Sequence, residues 1–202
     1  MPAPDHRTLP PERPAARDPH DDTLIERAQH GDLDSFGELV RRHQRDARRA
    51  AAAIGGPDVA DDCAQEAFVR AYRALPRFRV GAPFRPWLLT IVVNVARNHH
   101  RSSVRWTRGA QRSIDDRTGG AGRAERSAED VVLDADRSAR LGAALATLPT
   151  RCREVVACRY LLELTEQETA EVLGVPPGTV KSRLSRGLDR LAAQLREEAF
   201  DG

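Results

Sequence analysis

A chain of 202 residues has room for one large domain or two small ones, and its 40% apolar content is that of an ordinary globular protein. Aromatics make up only 4% and Lys181 is the only lysine among many arginines, a composition that fits small helical domains better than a sandwich or barrel. The net charge of +2 leaves open whether charge is segregated. Cys63, Cys152 and Cys158 form no CxxC pair, and no apolar run reaches membrane-span or signal-peptide length, so a disulfide framework is excluded and a cytoplasmic setting is expected.

Residues 1–20 hold six prolines among charges, too little apolar surface to offset the entropy of ordering, and are expected to form a disordered tail. A short helix is expected near 21–29. Another follows from about Asp34, with Phe36, Leu39, Val40 and His43 at helical spacing, and stops at Gly55, Gly56 and Pro57. A third starts near Asp58 as N-cap, carries Phe68 and Tyr72, and ends at Pro76; Arg79 to Pro83 is a short loop. The fourth, about 84–105, puts Phe84, Leu88, Ile91, Val92 and Val95 on one face and Asn94, Arg97, Arg101 and Arg105 on the other. Residues 107–135 lack periodicity and read as a linker. Helical patterns resume at about 136–147, 150–163, 165–173 and 177–197. The fold class expected is all-α, two small helical domains over 21–106 and 136–197.

Two constellations carry function. Between Glu66 and Asp115 there is no acidic residue, whereas ten arginines, among them Arg70, Arg79, Arg85, Arg97 and Arg101, lie there with Tyr72, Phe78, Phe84, Trp87 and Trp106 interleaved. Arginines bind phosphates and guanine edges, and aromatic rings stack unpaired bases, so this stretch fits a nucleic acid; a solvated basic face over core aromatics is the plainer reading, and it applies to Phe84 first.

The second constellation is a helix-turn-helix, two short helices at a steep angle, the second of which enters a major groove. Thr165 and Glu168 form a capping box, Gly174-Val175-Pro176 makes the turn, and Pro177 suits the first position of the next helix because its missing N–H needs no partner there. Val180, Leu184, Leu188, Leu191 and Leu195 form a buried stripe, leaving Thr179, Lys181, Ser182, Arg183, Ser185, Arg186 and Arg190 as an outward face of donors for phosphates and base edges. An ordinary helical hairpin with a solvated face is the alternative.

These two blocks, in this order, resemble the sigma-70 family of RNA polymerase sigma factors, in its extracytoplasmic-function (ECF) group. The resemblance rests on Asp61-Asp62-Cys63-Ala64-Gln65-Glu66-Ala67-Phe68, on Phe78, Phe84, Trp87-Leu88, Ile91, Asn94 and Arg101, and on Leu148-Pro149, Arg153-Glu154, Arg159-Tyr160 and the run from Gly174 to Leu184. It implies that Asp61, Asp62, Gln65, Glu66 and Phe68 bind the clamp helices of the largest polymerase subunit. It further implies that Arg79, Arg85, Trp87, Asn94, Arg97, Asn98 and Arg101 engage the −10 promoter element, with a flipped base in the Arg79–Pro83 loop. Thr179, Lys181, Ser182, Arg183, Ser185, Arg186 and Arg190 would read the −35 element.

Asn98 departs from the family pattern, in which Asp is frequent. The partners implied are polymerase core, including the flap of its second-largest subunit, promoter DNA, and an anti-sigma protein that can be membrane-anchored. No cofactor, metal or catalytic residue is implied. Cys63 and Cys158 read as buried small hydrophobes, and His99 and His100 lack partners at metal-ligand spacing. Two rivals have less behind them. A response-regulator-type helix-turn-helix regulator would carry a βα-alternating receiver upstream, and an enzyme using Asp61, Asp62 and Glu66 as acids or Mg²⁺ ligands would need a phosphate loop or nucleophile motif.

Overall fold

A computed structural model describes residues 18–109 and 144–200, with side chains excepted at 102–109, 195 and 197–200. Among the described residues there are helices and turns and no strands. Helix α1 (Pro19–Gln29) opens with Asp18 accepting from the His20 N–H, and α2 (Leu33–Gly55) with Asp32 accepting from the N–H groups of Asp34 and Ser35. In both, a side-chain oxygen satisfies an N–H that the first turn leaves without a partner. The expected tail thus gives way to helix at Pro19, and residues 1–17 lie outside the described part.

Asp58 does not cap α3 (Ala60–Ala74). It sits in a 3₁₀ turn, Pro57–Val59, and the Ala60 N–H bonds to the Pro57 carbonyl, so the turn itself does the work expected of the side chain. A second 3₁₀ turn, Leu75–Arg77, takes up Pro76, and α4 (Phe84–Gly109) follows the loop. Helix α4 runs past residue 107, where the linker was expected; residues 110–143 lie outside the described part.

In the second half, α5 (Thr150–Val156) passes into a π turn, Ala157–Leu161, before α6 (Glu166–Leu173) and α7 (Pro177–Phe200). The expected capping box is present: the Thr165 hydroxyl accepts from the Glu168 N–H, and the Glu168 carboxylate accepts from the Thr165 N–H. Gly174 takes the left-handed conformation at φ 66°, which costs least at glycine, and the Gly174 N–H closes onto Glu171 at 3.2 Å. Glycine matters differently at Gly187 in α7, where an added Cβ would stand 2.8 Å from Val156 Cγ2, so α5 and α7 touch at a point that accepts only hydrogen.

Helices α2, α3 and α4 pack on one another around Leu39, Ile54, Phe68, Leu88, Val92 and Val95, with Ile25 of α1 closing one side. The second half packs Val155, Val156, Leu164, Leu173, Val180 and Leu184. The two sets join into one continuous core, because α4 lies against α6, and α2 against α5 and the π turn.

Thr169 of α6 is fully buried and its hydroxyl has no hydrogen-bond partner. Replacing a buried, unsatisfied polar group by an apolar one of the same shape removes a desolvation penalty. Thr169→Val is expected to raise stability by about 1 kcal/mol, read as a higher Tm with unchanged helical circular dichroism; a fall in Tm would show that the hydroxyl is satisfied in solution.

Candidate nucleic-acid interface

The first basic surface is built around the loop from Phe78 to Phe84. Gln29 of α1 uses both hydrogens of its amide there, donating to the carbonyls of Leu75 at 2.9 Å and Phe78 at 2.8 Å. Inside the loop the Ala82 N–H bonds to the Arg79 carbonyl at 3.1 Å, and Gly81 supplies a φ of 85°. Behind it stands an aromatic cluster: Phe78 lies 4.8 Å from Trp87 and 5.7 Å, edge to face, from Phe84, and His43 lies 5.2 Å from Phe84. Such ring pairs prefer tilted and edge-on geometry because the ring face is negative and the edge positive. Asp21 holds the His43 ring by a 2.8 Å hydrogen bond.

Phe78 and Phe84 are therefore core residues, Trp87 is half-buried and Tyr72 is exposed, while the Trp106 side chain lies outside the described part. Gln29, Asp21 and His43 were not legible as site residues, since their partners lie tens of positions away.

Of the residues expected at the −10 element, Arg79, Asn94, Asn98 and Arg101 are exposed. Arg85 and Arg97 are engaged within the chain. Arg85 pairs with Asp46 and donates to the Leu162 carbonyl at 2.7 Å. Arg97 grips Glu154 of α5 through Nε and Nη2, each at 2.8 Å, and reaches the Leu173 carbonyl at 3.3 Å. The Glu154 side chain is only 5% exposed, and its hydrogen bond is what raises the Arg97 pKa above the ordinary arginine value.

The stretch without acids in sequence is thus supplied with acids in space, since Asp46, Glu66 and Glu154 pair with Arg85, Arg70 and Arg97. The acid-free run of sequence is not an acid-free surface.

On α3, Asp61, Asp62 and Gln65 are exposed, and Asp61 pairs with Arg48 at 2.9 Å. Glu66 is held by His99 at 2.9 Å and by Arg70; these bonds, that of His99 foremost, keep its carboxyl below the usual range. Phe68, expected as a polymerase contact, is buried at 8% exposure and packs in the core. The reason is its register on α3, which it shares with the buried Cys63, Ala64, Ala67 and Ala71. The exposed apolar side chains of this region are instead Leu33, Val69 and Tyr72, the last with Phe36 edge-on at 4.9 Å.

The second basic surface lies on α7. Val180 and Leu184 are buried as expected, Leu188 and Leu191 pack half-buried against the core, and the Leu195 side chain lies outside the described part. Lys181, Ser182, Ser185, Arg186 and Arg190 are exposed, and Thr179 and Arg183 are half-buried. Arg186 donates to the Ser182 carbonyl at 3.0 Å, which fixes its stem along the helix. A cleft of about 670 Å³ runs between this face and the start of α5, and it brings in Thr150 and Arg151, which the sequence reading missed. Both stand at the N-terminal end of α5, outside the helix-turn-helix motif whose second helix carries the donors legible in the sequence.

Burial pushes the Cys158 thiol up to about 12 and raises the Cys63 thiol as well, and both side chains are buried. Among the described residues no group of histidine, cysteine and acidic side chains is placed to hold a metal ion, and no helix is long and apolar enough to cross a membrane.

The two surfaces fall within two matched regions: residues 39–106 match the family model described as Sigma-70 region 2, and residues 138–191 that described as Sigma-70, region 4. The chain is 35% identical over 181 residues to the ECF RNA polymerase sigma factor BldN of Streptomyces coelicolor, covering 87% of this chain and 66% of that protein. It is 31% identical over 177 residues to the ECF RNA polymerase sigma-E factor of Escherichia coli K12, covering 85% of this chain and 92% of that one. The RNA polymerase sigma factor CnrH of Cupriavidus metallidurans is 34% identical over 179 residues, covering 87% and 94%. The solved structure of CnrH in complex with the cytosolic domain of CnrY superposes with a TM-score of 0.66 at 28% identity, covering 88% of this chain and 98% of that one.

Proposed function

Because the chain belongs to the sigma-70 family, in its ECF group, we propose that it directs core RNA polymerase to promoters and helps to open them. One observation carries the reading: an exposed donor face on α7, held by a capped helix and a glycine turn, occurs in the same chain as the basic loop and outer face of α4. In a helix-turn-helix the second helix lies in the major groove, where arginine reads guanine edges bidentately and the hydroxyls of Thr179, Ser182 and Ser185 can donate to or accept from base edges. That assigns α7 to the −35 duplex.

The −10 element falls to Arg79, Asn94, Asn98 and Arg101 with the loop between Phe78 and Phe84, joined by Arg85, Trp87 and Arg97. An unstacked base would be received at the loop and the strand's phosphates by the arginines. The polymerase clamp falls to Asp61, Asp62, Gln65 and Glu66, with Val69 and Tyr72 as the apolar part of that contact in place of the buried Phe68.

Sigma factors carry out no chemistry themselves, so no residue here is assigned a catalytic role. The action lies in the cytoplasm, where polymerase and promoter are. Control by a protein partner is part of the reading, because the similar CnrH is solved bound to a cytosolic domain of another protein, CnrY.

The test is run-off transcription on genomic fragments with purified core polymerase, with and without the chain. New start sites that depend on the chain are expected; a chain that neither binds core nor creates start sites would remove the proposal.

A further inference from the structure

We propose that Gln29 is a positioning residue for −10 recognition: its amide braces the entrance of the Arg79–Pro83 loop in the shape that receives an unstacked base. The inference rests on the role given to that loop above, but the brace stands on its own geometry. Gln29 is half-buried at the end of α1, and its Nε2 donates to two carbonyls that lie 46 and 49 positions further along the chain. The Leu75 carbonyl, at 2.9 Å, opens the 3₁₀ turn that takes up Pro76, and it also accepts from the Phe78 N–H. The Phe78 carbonyl, at 2.8 Å, stands just past that turn, where the backbone becomes extended at ψ 132° and enters the loop. One planar amide thus fixes the two ends of the turn relative to each other.

Helix α1 is anchored so that it can do this. In its first turn Asp21, only 6% exposed, is bonded on α2 to Arg42 at 3.2 Å and to His43 at 2.8 Å. A carboxylate buried to that degree is tolerated only with partners of this kind. His43 in turn lies against Phe84, the residue at which the loop ends and α4 begins. Helix α1 therefore reaches both stems of the loop, the near one directly through Gln29 and the far one through His43. Between the stems, the shape of the loop draws on the Ala82–Arg79 hydrogen bond and the positive φ of Gly81. A loop that must be ordered on contact loses affinity to that ordering, and a loop shaped in advance does not. The brace from α1 is therefore felt at the position of the base held in the loop and not at its neighbours.

Holoenzyme is assembled from the full-length chain and core polymerase and bound to a promoter fragment mapped by run-off, with a duplex −35 element and a single-stranded non-template −10 element. A set of probes makes each −10 nucleotide abasic in turn. The parent is expected to lose about tenfold in affinity where the base held in the loop is missing. Gln29→Met keeps the length of the side chain and removes both N–H groups. It is expected to bind the intact probe about tenfold more weakly and to lose nothing further at that one abasic position. The other abasic positions should cost it what they cost the parent, whereas a purely structural role would weaken every probe by the same factor. Gln29→Glu, of the same shape but without the N–H groups, repeats the test should the methionine variant fail to fold. Binding of the intact probe equal to that of the parent, or the same loss on every probe with the loop position included, overturns the proposal. If the parent creates no start sites, the sigma reading fails, and hydrogen exchange in the free chain still decides the brace. The Val80, Gly81 and Ala82 amides are expected to exchange about tenfold faster in Gln29→Met, with α6 and α7 unchanged; unaltered loop rates overturn it.

Discussion

Replacing Phe84 with alanine is expected to destabilise the chain by about 3–5 kcal/mol, the range for removing a buried aromatic side chain. Phe84 is 4% exposed at the first position of α4 and touches Phe78, Trp87 and His43. Its loss removes the ring that touches all three of these neighbours and leaves a void among them. The damage should also extend beyond stability. Phe84 anchors the far end of the loop whose near end Gln29 holds, so the Arg79–Pro83 segment loses one of its two stems. Urea unfolding should show the midpoint fall at an unchanged slope, with open-complex formation lost before −35 duplex binding. A stability change below about 1 kcal/mol would mean that the cluster relaxes around the gap.

The second large effect belongs to α7. Removing both Arg183 and Arg186 by alanine substitution should weaken binding to a −35 duplex by about 100-fold or more, since each good base or phosphate fork contributes about 1–3 kcal/mol. Arg186 is exposed with its stem fixed on Ser182, and Arg183 lines the same cleft. The salt dependence separates their roles. A phosphate contact lowers the slope of log affinity against log salt by about one when it is lost, whereas a base contact relaxes sequence preference and leaves the slope in place. Duplex binding measured over a range of salt, with and without a changed −35 sequence, gives both. A double variant that binds as the parent does would remove α7 as the reading helix.

Much of this was readable from the sequence because it is local. The capping box at Thr165, the Gly174 turn and the apolar spacing of α4 and α7 each depend on neighbours within a turn or two, and the structure places them as the pattern indicates. What was not readable is long-range. The absence of acids from Glu66 to Asp115 pointed to an open basic surface, yet Asp46 and Glu154, from other helices, occupy two of its arginines. The resemblance implies a polymerase contact for Phe68, whereas on α3 it is buried beside Cys63, Ala64 and Ala67. The Asp58 side chain was expected to cap a helix that begins instead from a 3₁₀ turn. In each case the missing information was which residues fold back from elsewhere in the chain.

If α7 reads the −35 element as proposed, the contact at Gly187 sets its aim. Helix α7 is roughly 36 Å long at 1.5 Å per residue, and it crosses α5 at a point where nothing larger than a hydrogen separates Gly187 from Val156. That crossing acts as a fulcrum. Thr179 lies eight residues to one side of it, a lever arm of roughly 12 Å, so a wedge of a few tenths of an ångström at the crossing would swing the donor face sideways by a comparable amount. Hydrogen bonds to base edges tolerate little such displacement. On the proposed −35 role of α7, the atom missing from Gly187 would do for alignment what the arginines would do for affinity.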